Sequence, residues 1–310
     1  MGYRQSSHPG RSHGGIGLTR KEFGAMEERT IEGEGVKIQT QAFGNLDDPP
    51  ILLIMGAFAS MAWWLDDFAE LLASGGRYVI RYDNRDTGLS TAYVPGTAKY
   101  TLEDMAKDAM AVLSGYNLQA GHLVGMSMGG VIAQLAALIR PHRVKTLTIV
   151  SSTPLGVEWL PPPDDDYRRH MATLDHLDWN DRDQVADFLA RDAEAVASKR
   201  HPHDASAARR LIERDLARSP SFSSLQNHLA AAAPSPVRAK AADIQIPTLV
   251  VHGMADPVFP IAHAHAMVAA IKGARLVAIE GGGHELHAED WPQIAREILL
   301  HTSVIHVGRL

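Results

Sequence analysis

The chain has 310 residues, 45% of them hydrophobic and 21% charged, the balance of a globular protein with room for a substantial core. Its 30 basic and 36 acidic residues leave a formal net charge of −6, which argues against nucleic-acid binding because that function needs a basic face. Cysteine is absent, so disulfides, a thiolate nucleophile and cysteine-ligated zinc are excluded, and a cytoplasmic location is expected.

Residues 1–26 are rich in Gly, Ser, His and Arg and lack an apolar h-region, so they read as a disordered leader rather than a secretory signal. Gly2 and Ser6 fit a myristoylation pattern, though one short enough to arise by chance. Residues 29–43 alternate apolar and polar side chains around Gly33 and Gly35 and predict an antiparallel hairpin. ILLIM (51–55) is a continuous apolar run, the pattern of a strand buried on both faces. A helix is predicted over 63–76, a strand over 77–83 and an amphipathic helix over 102–116, with Thr101 as its N-cap. GHLVGM (121–126) is a further strand, SMGGVIAQLAALI (127–139) a helix and VKTLTIVSS (144–152) the sixth strand after the hairpin pair is counted. The alternation then stops. Residues 154–236, bounded by LPPPDDD and PSP, carry charged, alanine-rich helical sequence and read as a helical domain inserted into a core of 27–153 and 237–310. Strands at 246–253 and 274–281 alternate with helices at 263–271 and 290–302 to finish the core. No run of 18 apolar residues occurs, so no membrane span is expected.

Three features stand just after strands, where open α/β sheets place their active sites. Gly125-Met126-Ser127-Met128-Gly129 fits G-x-S-x-G. A strand-to-helix turn this tight strains the serine backbone, exposes the hydroxyl and puts a helix N-terminus behind it. A glycine-flanked helix cap has the same bare pattern; the strand before and the helix after favour the nucleophile. Asp256, in HGMADPVFP (252–260), is taken alone an ordinary Asp-Pro turn. His284, in EGGGHELHAED (280–290), is taken alone one of 16 histidines. Serine, then acid, then histidine, each after its own strand, makes the three signals one.

On these residues the chain resembles the α/β-hydrolase superfamily over roughly residues 27–302. The resemblance implies a mostly parallel eight-stranded sheet flanked by helices, with a helical cap inserted after strand 6. It implies Ser127 as nucleophile, His284 as base and Asp256 as the acid that orients it. Some relatives carry the acid after the sixth strand, but VSSTP offers no carboxylate there. The oxyanion donors would be the backbone N–H of Met128 and that of Ala57, or alternatively Phe58, in the loop after ILLIM. Relatives usually carry His-Gly-x in that loop, and this chain carries Met55-Gly56-Ala57-Phe58. Phe58, Met126, Trp159 and Val258 are candidate pocket residues, and Trp179 is a second cap tryptophan placed to face the substrate. YDNRDTGLS (82–90) resembles the superfamily's D-x-R-x-x-G-x-S segment and predicts a structural Asp83–Arg85 ion pair behind the site. Together with MGAFAS and GMSMGG it resembles in particular the bacterial cofactor-free esterases near the aclacinomycin methylesterases.

The activity so implied is hydrolysis of a small to medium, largely apolar carboxylic ester through an acyl-enzyme, with no cofactor and no metal. Carbon–carbon hydrolysis of a vinylogous diketone uses a similar triad and stays open, as does cofactor-free perhydrolase or haloperoxidase chemistry. A noncatalytic ligand receptor on the same fold is the reading from another class. Serine at the elbow argues against epoxide hydrolases and haloalkane dehalogenases, which use aspartate there. HELH (284–287) is one residue short of a zinc-binding H-E-x-x-H, and no third ligand is evident. His263 and His265, two apart, would diverge on a helix. No G-x-G-x-x-G follows the first strand, so nucleotide binding lacks support. Monomer and homodimer are equally compatible with the sequence.

Overall fold

The computed structural model describes residues 27–33, 35–231 and 239–303; the leader expected over 1–26 and the proline cluster at 234–236 lie outside them. The hairpin forms as expected, β1 (Arg29–Glu32) running antiparallel to β2 (Lys37–Phe43). The remaining strands are β3 (Pro50–Ile54), β4 (Tyr78–Tyr82), β5 (Gly121–Met126), β6 (Val144–Val150), β7 (Thr248–Gly253) and β8 (Arg275–Ile279). They make one eight-stranded sheet in the order β1-β2-β4-β3-β5-β6-β7-β8, antiparallel through β2–β4 and parallel from β4 onward.

The continuous apolar runs are explained by helices on both faces. Leu52, Ile54, Leu123 and Val250 point to one side and pack with α2 (Leu102–Gly115), α3 (Met128–Ile139) and α8 (Ala262–Ala270). Ile51, Leu53, Val124 and Val251 point to the other and pack with α1 (Asp66–Ser74) and α9 (Trp291–Thr302). Each fully buried aliphatic of this kind contributes about 1.5–3 kcal/mol. Thr101 caps α2 as expected, within a reciprocal box with Asp104. The helix expected from residue 63 is split, because a 3-10 turn at Met61–Trp63, capped by the Ser60 hydroxyl, precedes α1.

The parallel register lines up the strand ends. Ile54 pairs with Gly125, Met126 with Val150, Val150 with Val251 and Gly253 with Ile279. The loops that follow β3, β5, β6, β7 and β8 therefore leave the sheet along one edge.

Between β6 and β7 the described residues contain no strand. They form α4 (Asp165–Met171), α5 (Arg182–Ala195), α6 (Ala205–Arg218) and α7 (Asn227–Ala231), joined by 3-10 turns. Trp179, Val185, Phe188, Ile212, Leu216 and Leu225 give this insert its own apolar cluster, against which Phe58 and Trp63 of the post-β3 loop pack. Among the described residues no helix is long and apolar enough to cross a membrane.

Candidate active site

Ser127 occupies the turn between β5 and α3 at φ 53° and ψ −120°, a region that disfavours side chains other than glycine. Such a conformation costs about 1–3 kcal/mol and persists only where its surroundings over-determine it. Here they do. The Ser127 N–H donates to the Val150 carbonyl at 2.9 Å, and its carbonyl accepts the Ser152 hydroxyl at 2.7 Å. The flanking glycines are sterically required: a Cβ on Gly125 would stand 2.2 Å from the Gly129 oxygen, and one on Gly129 would stand 2.1 Å from the Ile54 oxygen. Ser127 sits at the N-cap position of α3, yet its side chain makes no capping hydrogen bond. The Ser127 hydroxyl is thus not engaged in capping α3.

The post-β3 loop lies against this serine: a Cβ on Gly56 would be 3.1 Å from the Ser127 Cβ and 3.7 Å from its Oγ. Phe58 in that loop has φ 62°, and its N–H donates to His228 Nδ1 at 3.1 Å. That amide is therefore engaged, whereas among the described residues no acceptor meets the N–H of Ala57. The Met128 N–H opens α3, where the helix itself supplies no partner.

At the far end of the same edge, His284 Nδ1 donates to Asp256 Oδ2 at 2.8 Å. The other carboxylate oxygen accepts the backbone N–H groups of Val258 and Phe259 at 2.8 and 2.9 Å. Asp256 is 4% exposed and His284 8%. Burial alone would raise the Asp256 carboxyl; His284, His252 and the Phe259 amide outweigh it and hold the group below its ordinary value. The His284 N–H donates to the Val196 carbonyl at 2.9 Å, so the insert helps to seat this loop, and the Phe259 ring meets the imidazole edge-on at 5.6 Å. His284 Nε2 has no hydrogen-bond partner among the described residues.

Three participants were not visible in the sequence. His252 reads as a strand residue, but its Nε2 donates to the Phe259 carbonyl at 2.6 Å and lies 3.4 Å from Asp256 Oδ2. Burial keeps its pKa below the usual imidazole value, and its Nδ1 is buried without a hydrogen-bond partner. Ser152, in the loop after β6, steadies the serine turn through its hydroxyl. His228, from the five-residue helix α7, stacks on Phe58 with ring centroids 6.3 Å apart.

Of the candidate pocket residues, Phe58 packs at 6.0 Å against Trp179, Met126 ends β5 in the core, and Val258 is half-buried beside Asp256. Trp159 departs from expectation. It is 96% exposed, in solvent rather than in a pocket, while Trp179 is the insert tryptophan that is buried.

The predicted Asp83–Arg85 pair does not form. Arg85 makes a two-pronged contact with Asp108 of α2, its Nη2 2.8 Å from Oδ1, because its side chain turns toward that helix. Asp83 instead accepts the Met61 N–H and the Leu89 N–H, each at 2.9 Å, and Arg218 Nη2 of α6 at 2.7 Å. Burial pushes the Asp83 carboxyl up to about 6 against the lowering influence of Arg218 and the two amides. HELH does not act as one unit: His284 is held by Asp256, the Glu285 carboxylate accepts the Ser198 N–H at 2.7 Å, and His287 joins His201 and Glu289 in a group of metal-capable donors. The His201 and His287 rings are stacked 4.2 Å apart and 13° from parallel, so their in-plane lone pairs run side by side instead of converging. His263, by contrast with exposed His265, is buried between Thr153 and the Pro161 carbonyl.

The sheet order, the strained serine turn and the acid–histidine pair at one edge are the marks of a hydrolase scaffold, and the chain belongs to the family described as alpha/beta hydrolase fold, which matches residues 49–290. Its relatives give the resemblance a direction. The chain is 33% identical over 298 residues to rhodomycin D methylesterase DauP of Streptomyces sp. (strain C5), covering 89% of this chain and 98% of that protein. It is 32% identical, over the same shares, to rhodomycin D methylesterase DnrP of Streptomyces peucetius. Among solved structures, the esterase EaEST from Exiguobacterium antarcticum superposes with a TM-score of 0.72 at 22% identity, covering 89% of this chain and 99% of that one, and shares the fold.

Proposed function

We propose that this protein is a serine carboxylesterase in which Ser127 is the nucleophile, His284 the general base and Asp256 the group that orients it. The observation that carries the reading is the serine itself, held in a strained turn with a hydroxyl that caps nothing, at the edge where Asp256 engages His284 Nδ1. With Nδ1–H committed to the carboxylate, the neutral imidazole has its lone pair on Nε2, the atom that a general base needs. Nε2 takes the proton as Ser127 Oγ attacks the ester carbonyl. The tetrahedral oxyanion is received by the Met128 and Ala57 N–H groups, the first of them at the positive end of α3. Collapse expels the alcohol with the proton returned from His284, and water repeats the cycle to free the acid. The helical insert would serve as a cap, its Trp179 packed on Phe58 of the post-β3 loop, an apolar surrounding suited to a small to medium, largely apolar ester. The methylesterases among its relatives point to methanol as the departing alcohol.

Ser127→Ala tests the assignment. Hydrolysis of p-nitrophenyl esters should fall by at least about a thousandfold, and labelling by a fluorophosphonate should disappear, with the melting temperature essentially unchanged, since alanine keeps the Cβ and the same strained turn. Full activity in the alanine variant would remove Ser127 from the mechanism. A series of methyl, ethyl and butyl esters of one acid then reads the alcohol preference.

A further inference from the structure

The post-β3 loop is held along its length by side chains that the catalytic reading does not use. Upstream, Asn84 Nδ2 donates to the Met55 carbonyl at 3.0 Å. Downstream, the Ser60 N–H and the Trp63 Nε1–H both donate to Asp215 of α6, at 3.2 and 2.7 Å, and the Met61 N–H donates to Asp83, itself paired with Arg218 of the same helix. Between these anchors stands Phe58, a bulky residue at φ 62°, whose N–H donates to His228 Nδ1 at 3.1 Å. The other ring nitrogen, His228 Nε2, lies 2.7 Å from the Arg85 carbonyl. A carbonyl can only accept, so Nε2 carries the proton and Nδ1 is left as the acceptor for Phe58.

We propose that His228 is a positioning residue for the esterase reaction: by capturing the Phe58 amide it fixes the Gly56–Ala57 peptide between two anchors and makes Ala57, and not Phe58, the second oxyanion donor. The inference rests on the esterase reading above and adds the group that selects between two adjacent amides. Without an acceptor at Nδ1 the Phe58 N–H has no partner at that position, and the strained φ has lost a bond that opposes its relaxation. The loop is then free to turn either amide toward the site, and the preorganisation on which an oxyanion hole depends is lost. The imidazole suits this role because it is fully buried and held neutral: burial lowers its pKa, against the raising influence of the Arg85 carbonyl and the Asp86 carboxylate. Since His228 belongs to the insert, the cap would complete the catalytic machinery as well as cover it.

The test is a pair of variants, His228→Leu and His228→Asn, assayed on a p-nitrophenyl ester beside the wild type and Ser127→Ala. Leucine removes both hydrogen bonds, whereas the asparagine Oδ1 can stand near the Nδ1 position and still accept from Phe58. The expected result is a kcat lower by about 10²-fold in the leucine variant with KM changed less than about twofold, and recovery of at least tenfold of that loss in the asparagine variant. Unchanged kcat in a folded leucine variant, a change confined to KM, or an asparagine variant as impaired as leucine would each overturn the proposal. Should the leucine variant not fold, nitrogen-15 NMR of the wild-type histidines decides: His228 in the Nε2–H form at neutral pH supports it, and the Nδ1–H form refutes it. Failure of the underlying reading shows separately, as activity retained in Ser127→Ala.

Discussion

Replacing Gly129 with alanine adds one methyl group at the most crowded point of the elbow. The new Cβ would lie 2.1 Å from the Ile54 oxygen, 2.7 Å from its carbonyl carbon and 2.7 Å from the Met55 oxygen. All three are backbone atoms of the β3 end, so no rotamer change relieves the contact. Reaching even 3.0 Å requires the start of α3 and the end of β3 to part by about 1 Å. Overpacking of this kind costs about 1–3 kcal/mol, a melting temperature lower by roughly 2–10 °C in a domain of this size. The catalytic effect should be larger than the thermal one, because the displaced segments carry the Met128 and Ala57 amides. A misplacement of about 1 Å can cost about 10²-fold in rate. The assay is kcat on a p-nitrophenyl ester together with the thermal midpoint. Gly273→Ala is the control: unlike the helical Gly129, Gly273 has a positive φ, 79°, but it has nothing within 4 Å of its Cβ position. It should lose about 1–2 kcal/mol of stability from backbone strain and no activity. A Gly129→Ala enzyme with wild-type kcat and midpoint would show that the elbow is not sterically closed.

Asp83 supplies a prediction about pH. Its carboxyl is raised from 3.8 to about 6, so between those values the folded protein keeps a proton that the unfolded chain has released. Stability from this group is therefore highest at low pH and declines as pH rises through about 4–6, by at most about 3 kcal/mol. Asp83→Asn should remove that slope, leaving a constant offset from the weaker Arg218 contact; parallel denaturation profiles for the two proteins between pH 4 and 6.5 would contradict it. The two insert tryptophans should separate cleanly. Trp159→Ala, at a 96% exposed position, should change stability by less than about 0.5 kcal/mol and leave KM unaltered. Trp179→Ala, at a 9% exposed position against Phe58, should cost about 3–5 kcal/mol. A raised KM in Trp159→Ala would return that residue to the substrate site.

What the sequence disclosed and what it withheld divide along a physical line. Ser127, Asp256 and His284 could be picked out because each follows an apolar run and is framed by glycine or proline, and parallel strands place such turns at one edge. The central strands were legible because burial on both faces leaves unbroken apolar runs, and the edge hairpin because its half-buried strands alternate. Partnerships made by long side chains across the fold were not legible. Arg85 finds Asp108, 23 residues away, and Asp83 finds Arg218, 135 residues away, because helix packing and not sequence proximity decides what a guanidinium reaches. Trp159 and Trp179 carry the same side chain in the same insert, and only the tertiary arrangement buries one of them. His228 had no local signal at all: it lies in a five-residue helix, and its two hydrogen bonds go to backbone groups 170 and 143 residues away.

The bonds from Asp215, Arg218 and His228 to the post-β3 loop and to Asp83 bear on how such proteins can be recombined. Insert and sheet domain are joined by matched groups, a carboxylate on one side answering an amide, an indole or a guanidinium on the other. A chimera that takes residues 154–236 from a relative without the Asp215 and Arg218 side chains and keeps this sheet would leave the Ser60 amide and the Trp63 indole N–H without Asp215, and the Asp83 carboxylate with two amides but no Arg218. The unit of exchange is the insert together with residues 56–64 and 83–90, three separated stretches of chain that evolution would have to change in concert.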